Sequence, residues 1–399
     1  MSTNPTRRPV WQAGLLVALI AATAWAAGEN PRIPTPPTPN PPPVTPPVTT
    51  PSETPRVEVA FVLDTTGSMS GLIEGAKQKI WSIANQLASG QPRPEVRMAL
   101  VGYRDRGDAY VTRVFPLTDD IDAIDAELRA FQAAGGGDTP ESVNQALHEA
   151  VYHLDWSSDK DVYRVIFLVG DAPPHMDYPN DVPYTKTMAA ARKFGIVVNT
   201  IQCGGYASTT PIWQEIASVG GGQFAAIRQD GGMLALATPM DEELSRLNAE
   251  LAGTMVPYGK VEERAELEAK RDAAVAAAPS KAAARLGFLS KLGGRLNAGR
   301  KDLVDAIASG STSLDALEDE ALPEPLQELA PAEREAYVKE KQETRQRLQT
   351  KIDALSVERD AYVKKEQARR AAEGEGDGFD AEVLETVREQ AAKAGIAYE

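Results

Sequence analysis

Between residues 56 and 253 short apolar runs alternate with segments whose apolar residues recur every three or four positions. The first run, VEVAFVL (57–63), is rich in β-branched residues and stops at Asp64. A polar loop follows. From Leu72 onward Ile73, Ala76, Ile80, Ile83, Ala84 and Leu87 keep helical spacing. A continuous apolar run closed by a turn reads as a buried parallel strand, and the periodic segment reads as the helix after it. The same alternation gives strands at 94–105, 162–171, 195–203 and 222–227. Helices are predicted at 72–88, 119–131, 140–154, 184–194, 212–219 and 233–251. RDRGD (104–108) turns the chain, so AYVTRVFPL (109–117) reads as an antiparallel partner of the strand before it. Strands alternating with helices predict a mainly parallel sheet covered on both faces.

The loop after the first strand carries Asp64, Thr66 and Ser68 at alternate positions, with Gly67 and Gly71 around them. Ligands bind outside the carboxyl ends of strands in open α/β sheets. Alternate residues of an extended loop face one side, so one carboxylate and two hydroxyls point into the expected crevice. Mg²⁺ takes about six oxygens and keeps several waters, so such a trio suits it. The alternative is a polar turn whose hydroxyls cap the next helix. Two more strand-end loops bear oxygen donors. GGGDTPES (135–142) has Asp138 and Thr139, with Pro140 and Glu141 at a helix start. FLVGDAPPH (167–175) has Asp171.

These three loops resemble the von Willebrand factor A family with its metal-ion-dependent adhesion site, over residues 56–253. The family motif is Asp-x-Ser-x-Ser, a Thr in a second loop and an Asp in a third. Asp64, Thr66 and Ser68 match the first part, with Thr66 where the family usually has Ser; Thr139 and Asp171 match the rest. The resemblance implies a Rossmann-like, doubly wound, mainly parallel six-stranded sheet with one antiparallel edge strand. It also implies a divalent ion, Mg²⁺ or Mn²⁺/Ca²⁺, with one coordination position open for an acidic side chain of a protein partner. Asp138, His175 and Asp177 are the candidate partner-binding rim. Arg106-Gly107-Asp108 spells an adhesion tripeptide, but its place suits a tight turn.

Composition narrows the partners. The 399-residue chain has a net charge of −15, which argues against nucleic acid, whose phosphates need a basic footprint. One cysteine, Cys203, excludes an internal disulfide framework, and three histidines leave little for zinc. Cys203 ends an apolar run and reads as core.

Residues 1–27 carry Arg7 and Arg8, an apolar stretch and the small-residue pattern Ala24-Trp25-Ala26. This reads as a secretory signal or an uncleaved membrane anchor, and either one exports the rest. The expected location is periplasmic, cell-surface or secreted, as in exported bacterial members. Residues 28–55 are proline-dense and read as a semi-rigid spacer. From 254 to 399 the composition shifts to Ala, Glu, Lys and Arg, predicting helices at 261–278, 281–296, 333–370 and 379–395. Leu348, Ile352, Leu355 and Tyr362 fall on a heptad seam interrupted at Arg359. That offers self-association or docking, with a solvated helical stalk as the alternative.

The leading expectation is a non-enzymatic, metal-dependent protein-binding module. A metal-dependent hydrolase using His175 and a scaffold with a stapling ion are the alternatives. The chain has no Walker loop, and in GSMSG Met69 stands where a nucleophilic Ser would be.

Overall fold

The computed structural model describes residues 54–137, 139–159, 161–232, 236–292, 301–374 and 378–398. The N-terminal apolar stretch, nearly all of the proline-rich segment and Asp138 lie outside the described residues, as do the last four residues of the helix predicted at 281–296.

Six strands form one sheet. They are β1 (Arg56–Asp64), β2 (Glu95–Tyr103), β3 (Thr112–Thr118), β4 (Val162–Gly170), β5 (Ile196–Cys203) and β6 (Gly221–Ile227). Their order is β3-β2-β1-β4-β5-β6, and only β3 runs antiparallel. All nine residues of β4 and the last eight of β1 are buried. This fits strands covered on both faces, which read as unbroken apolar runs. The chain leaves β1 for β2 on one side and returns to β4 on the other. The topological switch point therefore lies between the carboxyl ends of β1 and β4, where a ligand crevice opens.

Helices cover both faces. On one side α3 (Val143–Tyr152), α4 (Tyr184–Lys193) and α5 (Thr210–Gly220) pack on Ala60, Val62, Ile166 and Leu168. On the other, α1 (Ser70–Leu87), α2 (Ile121–Ala130) and α6 (Asp241–Ala252) pack on Val59, Phe61, Leu63 and Phe167. Cys203 is fully buried in that second core. The last helix of this region begins at Asp241, not near residue 233 as its periodicity suggests.

The helical region beyond residue 254 packs against the sheet domain. Its elements are α7 (Val261–Val275), α8 (Pro279–Lys291), α9 (Leu303–Ala308), α10 (Glu324–Gln327), α11 (Pro331–Ala372) and α12 (Gly378–Ala391). Residues 51–399 form one compact unit. Leu286, Phe288 and Leu289 of α8 and Phe379 and Val383 of α12 share a core with Trp81 and Phe61, and the Phe61 and Phe379 ring centroids are 6.1 Å apart. Charge reinforces this docking. Arg285 is fully buried and its guanidinium forks onto Asp122 of α2 at 2.8 and 2.7 Å, while Nη1 reaches Asn248 Oδ1 at 2.9 Å.

The seam on α11 is used inside the chain. Leu348 and Ile352 are buried in the shared core and Leu355 packs against it, whereas Tyr362 is exposed. Arg359, the interruption in the heptad pattern, is buried and its Nε donates to Asp241 Oδ1 at 2.8 Å. A heptad stripe reports an apolar face without saying what covers it, and here the chain's own helices do.

Candidate metal centre

β1 delivers Asp64 to the switch point as its last residue, fully buried. The chain then turns on that carboxylate: Asp64 Oδ1 accepts from the Thr66 backbone N–H at 2.8 Å and from Thr66 Oγ1 at 2.6 Å. A hydroxyl has one proton and two lone pairs. With its proton on Asp64, Thr66 Oγ1 keeps its lone pairs for the cleft. Ser68 Oγ lies 3.3 Å away from it.

Neighbouring loops are laced to this one through the backbone. Thr65 N donates to Tyr103 O at 2.8 Å, Gly67 N to Gly135 O at 3.2 Å, and Ala134 N to Thr65 O at 3.1 Å. Buried Arg104 donates to Thr65 O and Gln132 O. The second and third loops are tied in turn by Glu141 N to Pro173 O at 2.9 Å and His175 N to Glu141 O at 3.0 Å. Gln229, just beyond β6, donates its amide to Asp171 Oδ2 at 2.7 Å and to Ser68 O at 3.3 Å.

These contacts enclose a cleft of about 220 Å³, lined by Thr66, Ser68, Thr139, Glu141, Asp171 and Tyr206 among others. The structure thus gathers Thr66, Ser68, Thr139 and Asp171 around one space, with Asp64 beneath Thr66. His175 is buried beside the cleft without lining it. Its Nδ1 pairs with Asp177 Oδ1 at 2.8 Å, its Nε2 is 3.4 Å from Asp105 Oδ2, and its ring stacks on Tyr178 at 4.1 Å. The Asp177 side chain is mostly exposed. The Arg106-Gly107-Asp108 tripeptide is a turn with Gly107 at φ +97°. Arg106 pairs with Asp181, and Asp108 Oδ2 accepts from Gly136 N at 3.1 Å.

The electrostatics ask for positive charge. Asp64 Oδ2 and Glu141 Oε2 are buried and accept no hydrogen bond among the described residues. No lysine or arginine pairs with Asp64, Glu141 or Asp171 among those residues. Burial above all, opposed by the Thr66 hydrogen bonds and helped by the Asp171 charge, pushes the Asp64 carboxyl up to about 7. Burial, with the charges of Asp64, Asp105, Asp108 and Asp171, pushes Glu141 up to about 9. Buried carboxylates are kept ionised by a partner cation. Two hydroxyls beside carboxylates form an all-oxygen donor set that fits a hard divalent ion. Among the described residues no three His, Cys, Asp or Glu side chains form a metal cluster by themselves. The hydroxyls are therefore essential to this fit.

Glycines make room for the arrangement. A Cβ on Gly170 would lie 2.4 Å from Tyr103 Oη and 2.9 Å from Asp64 Cβ, so β4 must end without a side chain. Glu141 and Gln229 were not singled out in the sequence. Glu141 follows a proline at a helix start, where a carboxylate is ordinary, and Gln229 is remote from all three loops.

Residues 58–229 match the family model for the von Willebrand factor A domain. With the sheet order and the switch-point site, this defines that stretch as a von Willebrand factor A domain. Human von Willebrand factor A domain-containing protein 7 is 37% identical over 121 residues, 30% of this chain and 12% of that protein. The mouse protein is 38% identical over the same length. This chain therefore spans about an eighth of the length of those relatives. Among solved structures, proximal thread matrix protein 1 from the mussel byssus, with a zinc-occupied metal-ion-dependent adhesion site, is 18% identical at a TM-score of 0.35. That similarity covers 44% of this chain and 43% of that one.

Proposed function

We propose that this chain is a divalent-metal-dependent protein-binding module, with Thr66, Ser68 and Asp171 around an ion that accepts an acidic side chain of a partner. The observation that carries it is the Thr66 Oγ1 proton held on Asp64 Oδ1 at 2.6 Å, at the floor of a cleft holding unpartnered buried carboxylate oxygens. When bound, the ion supplies a Lewis-acidic contact for a carboxylate. Asp64 orients the Thr66 hydroxyl, Gln229 fixes Asp171, and the laced loops hold these groups at a set separation. Groups that orient ligands in this way typically contribute 10–100-fold to affinity. Mg²⁺ is the ion we favour, because a few hydroxyl and carboxylate ligands plus waters meet its octahedral demand.

We read the module as non-enzymatic. A general base must reach the proton it takes, and His175 is held by Asp105 and Asp177 away from the cleft. The N-terminal apolar stretch supports display outside the cytoplasm. The test is capture of partners by the immobilised full chain from an envelope extract, with Mg²⁺ or with chelator. Retention that chelator and Ser68→Ala both abolish supports the reading. A specific partner held equally in excess chelator overturns it.

A further inference from the structure

The family pattern takes its second-loop ligand from a threonine, matched in sequence by Thr139. The structure also puts a second residue of that loop, Glu141, against the cleft. Thr139 lines the cleft at its exposed rim. Two residues on, Glu141 is only 3% exposed and lines the same cleft as Thr66 and Ser68. Its Oε2 accepts nothing among the described residues. Its backbone is pinned on both sides, by Pro173 O at 2.9 Å and His175 N at 3.0 Å, so the side chain cannot leave with a loop movement.

Gly136 shows where the carboxylate points. A Cβ there would lie 3.1 Å from Glu141 Oε1 and 3.1 Å from Thr66 Cβ. The Glu141 carboxylate and the Thr66 side chain therefore face each other across a bare glycine. A buried carboxylate oxygen without a donor is expensive. The Thr66, Ser68 and Thr139 hydroxyls line the same cleft without bonding this oxygen, no lysine or arginine pairs with it among the described residues, and a cation would satisfy its charge.

We propose that Glu141, and not Thr139, completes the ligand set of this site. This rests on the metal-binding reading above. A carboxylate in place of a neutral hydroxyl adds a negative charge next to the ion. It strengthens the hold on the cation and lowers the ion's remaining attraction for a partner's carboxylate. The site is then a tighter ion holder and a weaker acid catcher than one built on threonine.

The test is a Mn²⁺ titration of the full-length chain, with free Mn²⁺ followed by its electron paramagnetic resonance signal. Wild type should bind one ion. Glu141→Gln, which keeps the shape, should raise Kd by about 10–100-fold. Thr139→Ala should stay within about threefold of wild type, since it removes a group outside the ligand set. Glu141→Asp keeps the charge and shortens the reach, and should fall between. Thermal unfolding in chelator checks that each variant is folded, and Glu141→Asp decides the matter if Glu141→Gln is not. Loss of binding in Thr139→Ala with Glu141→Gln and Glu141→Asp unchanged overturns the assignment and leaves the metal-binding reading standing. No binding by wild type overturns both.

Discussion

Thr66 Oγ1 donates to Asp64 Oδ1 at 2.6 Å, and the same oxygen accepts the Thr66 backbone N–H at 2.8 Å. One buried carboxylate thus fixes both the turn after β1 and the direction of a hydroxyl proton. The carboxylate shapes the site through Thr66, with its other oxygen left unpartnered among the described residues.

Thr66→Val, which removes the hydroxyl at nearly constant volume, should weaken Mn²⁺ binding by about 10–100-fold. Thr66→Ser, which restores the family residue, should bind within a few-fold of wild type. Isothermal titration of the two variants checks this. Equal binding by Thr66→Val would take the hydroxyl out of the site.

Asp64 makes metal-free stability depend on pH. Its carboxyl rises from an ordinary 3.8 to about 7 on folding. Between those values the folded state holds a proton that the unfolded state has lost, so stability falls as pH rises and the loss is complete above about 7. The full effect is about 4 kcal/mol at most. In chelator, Asp64→Asn should melt higher than wild type at pH 8 and nearly equal to it at pH 4. Melting curves at the two pH values check the sign; a variant less stable than wild type at pH 8 contradicts it.

Gly136 sits at φ +78°, with Glu141 Oε1 and Thr66 Cβ both 3.1 Å from an added Cβ. Gly136→Ala should cost about 1–2 kcal/mol from the left-handed backbone alone, and it should weaken metal binding by pressing two cleft walls apart. Denaturant unfolding and Mn²⁺ titration on the same sample read both effects.

The Arg285–Asp122 pair joins α8 to α2 in the core. Arg285→Met leaves Asp122 without its guanidinium, and breaking one side of a buried pair costs about 3–5 kcal/mol. Adding Asp122→Leu should recover much of that loss. Because the helical region shares a core with the sheet, wild type should unfold in one transition by calorimetry. Two separate transitions, with the mutation touching only one, would show the helices docked loosely.

The central strands were legible because β1 and β4 are covered on both faces, which leaves an unbroken apolar run ending on a functional carboxylate. The loop residues Asp64, Thr66, Ser68 and Asp171 were legible from their places at strand ends. Glu141 was not: after Pro140 it has the sequence appearance of a helix-start charge, and only the fold turns its side chain into the cleft. The docking of the C-terminal helices was hidden for a related reason. Arg285, Arg345 and Arg359 are each buried against an aspartate. A one-dimensional pattern counts a paired, buried arginine as surface.

The most direct measurement is an anomalous-difference map from crystals of the protein soaked in Mn²⁺. The expected result is a single strong peak in the cleft at about 2–2.3 Å from Thr66 Oγ1 and Ser68 Oγ. One side of that ion should face solvent. A map without density there at saturating Mn²⁺, or with its peak away from both hydroxyls, contradicts a metal-dependent binding site at the end of β1.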